Sequence, residues 1–452
     1  MAIIRSISGL RATTDEMSEE LVRSYARAFG VYLPSGPIVI GRDGRPTGEW
    51  MEAAIVDELL SSGHDVILLG IAPTPTIQLE TEHSSAVGGI SITASHNPSE
   101  WNGMKFLNST GVFLNASENK DFWAILDSGR FNIPKAQVGT LKQIEHAERK
   151  HVETVLQALK RIGFEKYDMK VTAVVDAVNA SGSVYVPALL ETMDCETIPL
   201  YCDSSGIFPH LPEPLTEHLG DLMLAVKERK ADIGIAVDPD ADRLVLIDEN
   251  GHAIGEEKTI ALCVKALLEC PNPPVKSASI ALNLSTSMMS ANIAIDHGWN
   301  VYRSPVGEIN VVELMKQHQS VIGGEGSGGV ILPECHYGRD SLVGVAMIIS
   351  LMKCTRKALS ELASELPKTT MLKGKMPWSG SASEIFQVIE RHFADDSITI
   401  RHDDGIWLAF KAGWMHVRTS NTEPILRFII ENEDELETHW YEQELKRVLH
   451  SL

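Results

Sequence analysis

The sequence has few of the features that mark disulfide-linked, zinc-binding or membrane proteins. Its 452 residues include only six cysteines, at positions 195, 202, 263, 270, 335 and 354, and no two of them form a CxxC pair. This spacing predicts reduced thiols rather than a zinc site or a disulfide framework. No run approaches the roughly 20 apolar residues of a membrane span, and the N-terminus has no signal-peptide pattern. We therefore expect a cytoplasmic protein with no membrane partner.

Basic residues are also scarce. The chain has 40 lysines and arginines against 61 aspartates and glutamates, which gives a formal net charge of -21. A surface this acidic repels nucleic acids and anionic membranes, so neither is expected as a partner. An anionic small molecule would have to bind in a local pocket of basic side chains.

Strand-length apolar runs alternate with helix-length segments in three successive parts of the chain. The runs GPIVIGR, MKVTAVVDAV and SASIALNL each belong to one of these parts. Such alternation predicts α/β units. Near the C-terminus, two helical patterns flank short strand-like runs. We therefore predict three similar α/β domains with mixed sheets, at residues 1–147, 148–247 and 248–367, and a smaller α+β domain at 368–452.

The apolar run DIGIAV leads directly into DPDADR, residues 238–243. Asp238, Asp240 and Asp242 repel one another unless protons or a cation neutralise them, and hard oxygen ligands of this kind suit Mg²⁺. An EF-hand calcium loop is a rival, with Glu249 at its twelfth position. However, Arg243 replaces the glycine of the EF-hand turn, and the strand-like run LVLID follows. A solvated acidic turn is the third interpretation.

A second polar loop, TASHNPSEWNGMKF, spans residues 93–106 and follows the strand-like run AVGGIS. Its residue types also suit a purely structural turn. Ser95 beside His96 suggests a hydrolase triad, but neighbouring residues on an extended segment point to opposite faces, and no GxSxG elbow surrounds the serine. Lys105 could hold an anion or move a proton. A phosphoryl group on Ser95 would need the charge of the Mg²⁺ loop, so we expect the two loops to form one site.

The run VIGGEGSGGVI places Glu325 and Ser327 among glycines. A carboxylate repels phosphate, so Glu325 is predicted to accept hydrogen bonds from sugar hydroxyls. A plain glycine-rich turn is the alternative.

The run RTSNTEPILR starts at Arg418 and ends at Arg427. Two arginines bracketing several hydroxyls predict a pocket for a phosphate dianion, because the arginines repel each other unless an anion lies between them. An Asx or ST turn that caps the following segment is the alternative. Arg11 and Arg45 could also contribute to phosphate binding.

The order TASHNP with NGMK, then DPDADR, GEGSGG and RTSNTEP resembles the α-D-phosphohexomutase superfamily over essentially the whole chain. The SISGLR opening and the GRDGRP turn extend the likeness. The resemblance implies four domains around a central cleft, with Ser95 as the phosphoserine and one Mg²⁺ bound by Ser95, Asp238, Asp240 and Asp242. Lys105 and Arg243 would be the catalytic residues that manage proton and charge. The implied substrate-binding residues are Arg11, Arg45, Glu325, Ser327, Arg418, Ser420, Asn421, Thr422 and Arg427.

The implied reaction interconverts a hexose 6-phosphate and a hexose 1-phosphate through a hexose 1,6-bisphosphate. The motifs look most like the phosphoglucosamine mutase group, with a glucose or mannose phosphate mutase as the alternative. A Mg²⁺-dependent sugar phosphatase and a non-catalytic sugar-phosphate sensor are less favoured. The expected partner is a small phosphosugar, and the chain is expected to be a monomer or a homodimer.

The chain departs from the family pattern at two positions. Gly329 stands where many relatives have a histidine, so a histidine acid/base cannot be assumed there. Ala12 replaces the glycine that commonly follows SGLR.

Overall fold

The computed structural model describes residues 3–131, 138–271, 278–419 and 425–450. Within these residues, four β-sheets follow one another along the chain, each flanked by helices. No helix in the described ranges combines the length and the apolar character needed to cross a membrane.

The first sheet contains seven strands and defines the first unit. Its strands are β1 (Ile3–Ser6), β2 (Gly9–Thr13), β3 (Ile38–Arg42), β4 (Val66–Ile71), β5 (Gly88–Ile92), β6 (Trp101–Asn108) and β7 (Leu141–Gln143). Its helices are α1 (Glu19–Tyr32), α2 (Pro46–Ser61), α3 (Thr74–His83) and α4 (Ala116–Ser128). The strand order is β1-β2-β6-β5-β3-β4-β7.

The second and third units each have a sheet of four strands. The second unit comprises α5 (Ala147–Arg161), β8 (Val171–Asp176), α6 (Gly182–Thr192), β9 (Cys195–Tyr201), α7 (Gly220–Arg229), β10 (Ile233–Val237) and β11 (Leu244–Ile247). The third comprises α8 (Glu257–Glu269), β12 (Ser279–Asn283), α9 (Met288–Asp296), β13 (Asn300–Ser304), α10 (Glu308–His318), β14 (Ile322–Glu325), β15 (Gly329–Ile331), α11 (Ser341–Thr355) and α12 (Leu359–Ser364).

The three units share one strand arrangement. Three parallel strands are followed by an antiparallel return strand in the orders β4-β3-β5-β6, β9-β8-β10-β11 and β13-β12-β14-β15. The third parallel strand of each unit, β5, β10 or β14, leads into one of the polar loops identified from the sequence. The three loops therefore occupy equivalent positions beyond the carboxyl ends of parallel strands, where ligands bind in open sheets of this kind.

The fourth sheet is entirely antiparallel. It contains β16 (Thr370–Pro377), β17 (Thr399–Arg401), β18 (Ile406–Ala409), β19 (Gly413–Thr419) and β20 (Ile425–Asn432), in the order β16-β20-β19-β18-β17. Helices α13 (Ala382–His392) and α14 (Glu435–His450) accompany it. The predicted fold, three similar α/β units and a C-terminal α+β unit, is confirmed, while the boundaries between them stay predictions.

One continuous hydrophobic core fixes the first three units against one another. It includes Ile77 of the first unit, Val175 of the second and Leu282 of the third, all fully buried. Helix α11 lies in this core, with 13 of its 15 residues buried. The fourth sheet packs on a separate core that includes Ile385, Met415 and Leu445. The loops of the first three units are therefore held at set distances from one another.

Arg45 ties the loop of residues 95–101 to the end of β3. Its side chain is only 1% exposed. Nε donates to Asp43 at 2.9 Å, and the four remaining N–H groups donate to the backbone carbonyls of Ser95, Asn97, Pro98 and Trp101 at 2.6–3.0 Å. All five guanidinium donors are thus used within the protein, which is the full capacity of an arginine.

This geometry argues against the expectation that Arg45 binds substrate, because no guanidinium donor is left for a phosphate. Its role is to hold the backbone of the serine loop in place. The sequence cannot indicate this role, since the acceptors are main-chain carbonyls more than 45 residues away.

Replacing Arg45 by methionine should lower the free energy of unfolding by about 3–5 kcal/mol, because the buried Asp43 carboxylate would lose its charged partner and four carbonyls would lose their donor. Urea denaturation followed by circular dichroism measures this change. Arg149→Met is the matched control, since the side chain of Arg149 is 78% exposed, and it should change stability by less than about 0.5 kcal/mol. A loss below about 1 kcal/mol for Arg45→Met would contradict the structural role.

Candidate functional site

Ser95 is held in a strained backbone conformation at the start of the serine loop. Its φ is 53°, in the left-handed region that few non-glycine residues adopt. Its N–H donates to the hydroxyl of Thr93 at 2.7 Å, and that hydroxyl donates to Asp43 at 2.6 Å. Backbone strain of this kind persists only where its surroundings enforce it, and here it turns the Ser95 hydroxyl toward the second unit.

The Ser95 hydroxyl contacts both a neighbouring histidine and the aspartate loop. Oγ lies 3.3 Å from Nδ1 of His96 and 3.1 Å from Oδ2 of Asp238, to which it donates. The argument that Ser95 and His96 point to opposite faces was wrong, because the left-handed φ of Ser95 means that the segment is not extended. A triad is still incomplete among the described residues, since Glu213 lies 3.9 Å from Nε2 of His96, too far for a hydrogen bond.

His96 is a neutral side chain at neutral pH. Burial of much of its ring, together with the positive charges of Arg243 and Arg11, holds its pKa well below the usual value of 6.5. The site therefore presents an uncharged imidazole beside Ser95.

The three aspartates converge in a fully buried loop. Asp238, Asp240 and Asp242 are each at most 1% exposed, and their nearest carboxylate oxygens lie within 4.8 Å of one another. Oδ1 of Asp238 accepts the backbone N–H groups of Asp242 and Arg243, both at 3.1 Å, which closes the loop. The loop ends in β11 rather than in a helix, and Glu249 contacts Ser360 instead of the aspartates, so the EF-hand interpretation is excluded.

The two oxygens of Asp240 and of Asp242 have different surroundings. Oδ2 of Asp240 accepts from Lys105 at 2.6 Å and from Thr74 at 2.7 Å, and Oδ2 of Asp242 accepts from Arg339 at 2.6 Å and from Lys105 at 3.2 Å. Both Oδ1 atoms are buried without any hydrogen-bond partner. Unpaired buried carboxylate oxygens are costly, and they are the hard ligands that a divalent cation accepts. These residues fit a Mg²⁺ ion.

The pKa values of the aspartates reflect this crowding. Burial and the charges of Asp242 and Asp240 raise the pKa of Asp238 well above its usual value. Burial alone would also raise the pKa of Asp242, but Arg339, Lys105 and Arg243 hold it far below its usual range. The cluster therefore has an unmet need for positive charge at Asp238, the residue that contacts Ser95.

Glu325 ends β14 and is 5% exposed. Its Oε1 accepts from Asn283 at 2.7 Å and from the backbone N–H of Gly307 at 3.2 Å, while Oε2 accepts from Arg339. A carboxylate has further acceptor positions, so Glu325 can still receive a sugar hydroxyl. Glu325 and Ser327 both line one cavity.

Two adjoining cavities connect the predicted site residues. The smaller, of ≈ 140 Å³, is lined by Arg11 and Lys105, and the larger, of ≈ 320 Å³, by Ser327. The side chains that line both are Arg243, Val306, Glu325 and Arg339. The larger cavity ends at Arg418 and Arg427 in the fourth sheet. Ser420, Asn421 and Thr422 lie outside the described residues.

The far end of the cleft has a concentrated positive charge. Arg418 and Arg427 stand directly opposite each other on β19 and β20, and Lys375 stands opposite Arg427 on β16. Like charges in direct cross-strand register destabilise a sheet unless an anion lies nearby. Nε of Arg418 also donates to Asp404 at 2.8 Å, which orients its guanidinium.

Several cavity residues were not found from the sequence, among them three with basic side chains. Arg339, Lys373 and His416 all line the larger cavity. Burial lowers the pKa of His416 to about 4, so it is neutral at physiological pH. The only signal for Arg339 was the polar run HYGRD, and Lys373 and His416 lie within strands, where charged residues usually indicate a solvated face.

The chain is similar to known proteins over most of its length. Family models described as phosphoglucomutase/phosphomannomutase, alpha/beta/alpha domains I, II and III, match residues 4–132, 149–251 and 256–370. The chain is 36% identical to a phosphoglucomutase/phosphomannomutase of Thermococcus kodakarensis, with 94% of both chains covered. It is 32% identical to a probable phosphoglucosamine mutase of Methanopyrus kandleri, covering 95% of this chain and 93% of the relative.

A solved structure has the same fold. A phosphoglucomutase/phosphomannomutase family protein from Burkholderia thailandensis superimposes with a TM-score of 0.85 at 23% identity, covering 99% of this chain and 98% of that one. The chain thus belongs to the phosphoglucomutase/phosphomannomutase family, and it is a phosphohexomutase, an intramolecular phosphotransferase.

Proposed function

We propose that this phosphohexomutase interconverts glucosamine 6-phosphate and glucosamine 1-phosphate, with Ser95 as the carrier of the transferred phosphoryl group. The observation that carries the proposal is the contact of the Ser95 hydroxyl with Asp238 at 3.1 Å. Beside this contact, Lys105 bonds to Asp240 and lines the smaller of the two adjoining cavities, of which the larger is lined by Arg418 and Arg427. A phosphoryl group on Ser95 would add up to two negative charges beside the aspartates. Mg²⁺ bound by Ser95, Asp238, Asp240 and Asp242 would neutralise that charge.

The transfer exchanges one phosphate ester for another. The bond between phosphorus and Ser95 Oγ breaks, a new bond forms to the free sugar hydroxyl, and the hydroxyl proton ends on Ser95 Oγ. The product is the hexose 1,6-bisphosphate, which must turn round so that its other phosphoryl group returns to Ser95. Lys105, Arg243 and Arg11 line the smaller cavity, and Arg11 also donates to Asn97 of the serine loop at 2.8 Å. These cations can balance the charge of the transferring group.

The second phosphate of the sugar is assigned to the cationic end of the cleft. Arg418 and Arg427 stand opposite each other on the neighbouring strands β19 and β20, and both would hold this phosphate. Ser420, Asn421 and Thr422, which lie between them in the sequence, would also contact it. One pocket must accept the phosphate of either isomer, since the bisphosphate presents each end to Ser95 in turn. Glu325 and Ser327 would bind the ring hydroxyls between the two ends.

Glucosamine is the favoured sugar. Relatives named probable phosphoglucosamine mutase support this choice, and Glu257 and Glu325 are carboxylates in the larger cavity that can pair with an amino group. A glucose or mannose phosphate is the second candidate, because a relative 36% identical to the chain is named phosphoglucomutase/phosphomannomutase.

Coupled assays of the 6-phosphates of glucosamine, glucose and mannose, run side by side, decide between them. The highest kcat/KM is expected for glucosamine 6-phosphate, and a higher value for glucose 6-phosphate or mannose 6-phosphate would reject the glucosamine assignment.

We further propose that the enzyme acts in the cytoplasm as a monomer or a homodimer.

Ser95→Ala should reduce mutase turnover to less than about 10⁻³ of the wild-type rate, because the covalent carrier would be lost. Intact-mass analysis of the wild type, incubated with hexose bisphosphate, should reveal an added phosphoryl group of about 80 Da that the variant lacks. Ser117→Ala, at an exposed position on α4, is the control and should keep full turnover. Undiminished turnover in Ser95→Ala would rule out Ser95 as the carrier.

Arg418→Ala should raise the KM of both the 1-phosphate and the 6-phosphate by about 10–100-fold, since a hydrogen bond to a charged group contributes about 1.5–3 kcal/mol. Initial rates measured in both directions test this expectation. Arg447→Ala, with a side chain 70% exposed on α14, serves as the control. An effect confined to one isomer would contradict a shared phosphate pocket.

A further inference from the structure

Arg339 lies between the aspartate loop of residues 238–243, here called the metal loop, and the glycine-rich segment of residues 324–329, here called the sugar loop. Neither loop contains it. The residue directly precedes Asp340, the N-cap of α11, and its side chain is 10% exposed. It lines both cavities of the cleft. No role was assigned to it from the sequence.

The guanidinium of Arg339 contacts three carboxylates with three different nitrogens. Nη2 donates to Oδ2 of Asp242 at 2.6 Å, Nη1 donates to Oε2 of Glu325, and Nε donates to Oε2 of Glu308 at 3.0 Å. Asp242 belongs to the second unit, while Glu325 and Glu308 belong to the third. The guanidinium presents five N–H donors in a rigid planar arrangement, so it can hold carboxylates in three fixed directions.

The backbone of Arg339 is held firmly by its neighbour Asp340. Oδ1 of Asp340 caps α11 by accepting the N–H of Leu342 at 2.8 Å, and Oδ2 accepts from His151 at 2.8 Å and from His336 at 3.1 Å. Asp340 is fully buried, so this anchor is shielded from water. The position of the guanidinium is therefore set from both ends of the side chain.

The stem of Arg339 passes directly over Gly329 of the sugar loop. A Cβ atom at Gly329 would lie 2.3 Å from Cδ of Arg339, a separation that real contacts do not reach. The arginine thus fills the space beside β15 in which a side chain at position 329 would lie. This explains in physical terms why the chain has glycine there.

We propose that Arg339 is a positioning residue that fixes the metal-loop carboxylate of Asp242 and the sugar-loop carboxylate of Glu325 with one guanidinium, so that cation binding and sugar binding depend on the same side chain. The inference rests on the function proposed for this site. It assigns to Arg339 a role beyond the residues implied by the motifs.

Arg339 is expected to affect metal affinity in two opposite ways, through its orientation of Asp242 and through its own positive charge. By holding Oδ2 of Asp242, Arg339 leaves Oδ1 without a protein partner and free for a cation. A positive guanidinium close to a divalent cation would, by charge alone, weaken metal binding. Groups that orient a metal ligand typically contribute 10–100-fold to affinity. A variant that keeps the positive charge but lacks the planar guanidinium separates the two effects.

The test measures Mn²⁺ binding to Arg339→Lys in the absence of sugar, by electron paramagnetic resonance of the free ion. Lysine keeps the positive charge but lacks the rigid planar donor geometry that orients the carboxylates, so the affinity should fall by about 10–100-fold. In a second measurement, calorimetry with a chelator present follows binding of glucosamine 6-phosphate. Its affinity should also fall, by at least about fivefold, because Glu325 loses its orientation.

Gly329→Ala is an independent variant that changes no charge. The new methyl group would displace the Arg339 stem, so the same two affinities should fall. Gly220→Ala is the matched control, because nothing lies within 4 Å of a Cβ at Gly220, and it should leave both affinities within about twofold of the wild type. Thermal denaturation of each variant checks that the fold is intact.

The possible outcomes distinguish the positioning role of Arg339 from the proposed mutase function. Unchanged or tighter Mn²⁺ binding in Arg339→Lys and Gly329→Ala would overturn the role of Arg339, whatever the wild type catalyses. Weaker Mn²⁺ binding with unchanged sugar-phosphate affinity would also overturn it, because Arg339 would then serve the metal loop alone. A wild type without mutase turnover would reject the proposed function, while weaker Mn²⁺ binding in both variants would still support the positioning role.

Discussion

The buried negative charge of the aspartate loop is the constraint on which the rest of the site depends. Three carboxylates without access to water are strongly destabilising unless cations and hydrogen bonds compensate them. Lys105 reaches them from β6 of the first unit, and Arg339 reaches them from the start of α11 in the third. The N–H of Thr74, also from the first unit, donates to the backbone carbonyl of Asp240 at 3.0 Å. The loop of the second unit can therefore be buried only when all three units are assembled, and the shared hydrophobic core provides that assembly.

The repeated topology explains how one architecture supplies three different chemical groups. Each α/β unit places one loop between its third parallel strand and the antiparallel return strand, and the loop carries a serine in the first unit, aspartates in the second and a glutamate in the third. The return strand adds a second contribution: β6 carries Lys105, and β15 begins with Gly329, which leaves space for Arg339. Because equivalent loops lie at the same edge of related sheets, packing the units together brings the three groups into one cleft.

The sequence predicted the repeated units and the polar loops because both follow from local patterns. A buried strand such as β10 is a continuous apolar run, and polar residues at its carboxyl end are visible without any knowledge of the fold. Three features were not predictable in this way. The left-handed φ of Ser95 has no residue-type signal, since serine does not favour it. The roles of Arg45 and Arg339 depend on acceptors that are distant in sequence. Like most buried polar networks, they are defined by tertiary contacts rather than by local pattern.

The fourth unit contributes a cluster of positive charges to the cleft. The chain has a net charge of -21, yet Lys373, Arg418 and Arg427 face the cleft from a unit that packs on its own core. Its described contacts with the third unit include polar ones: Lys373 pairs with Glu257 at 2.8 Å, and Glu431 accepts from Ser287 and from the backbone N–H of Met288. An apolar contact accompanies them, in which Leu284 of the third unit packs with Trp407 and Trp414 of the fourth. A phosphate between Arg418 and Arg427 would remove their mutual repulsion, and a sugar attached to it would reach toward Glu325. Ligand binding would therefore add to the attraction between the fourth unit and the other three, because one molecule would contact Arg418 of the fourth unit and Glu325 of the third.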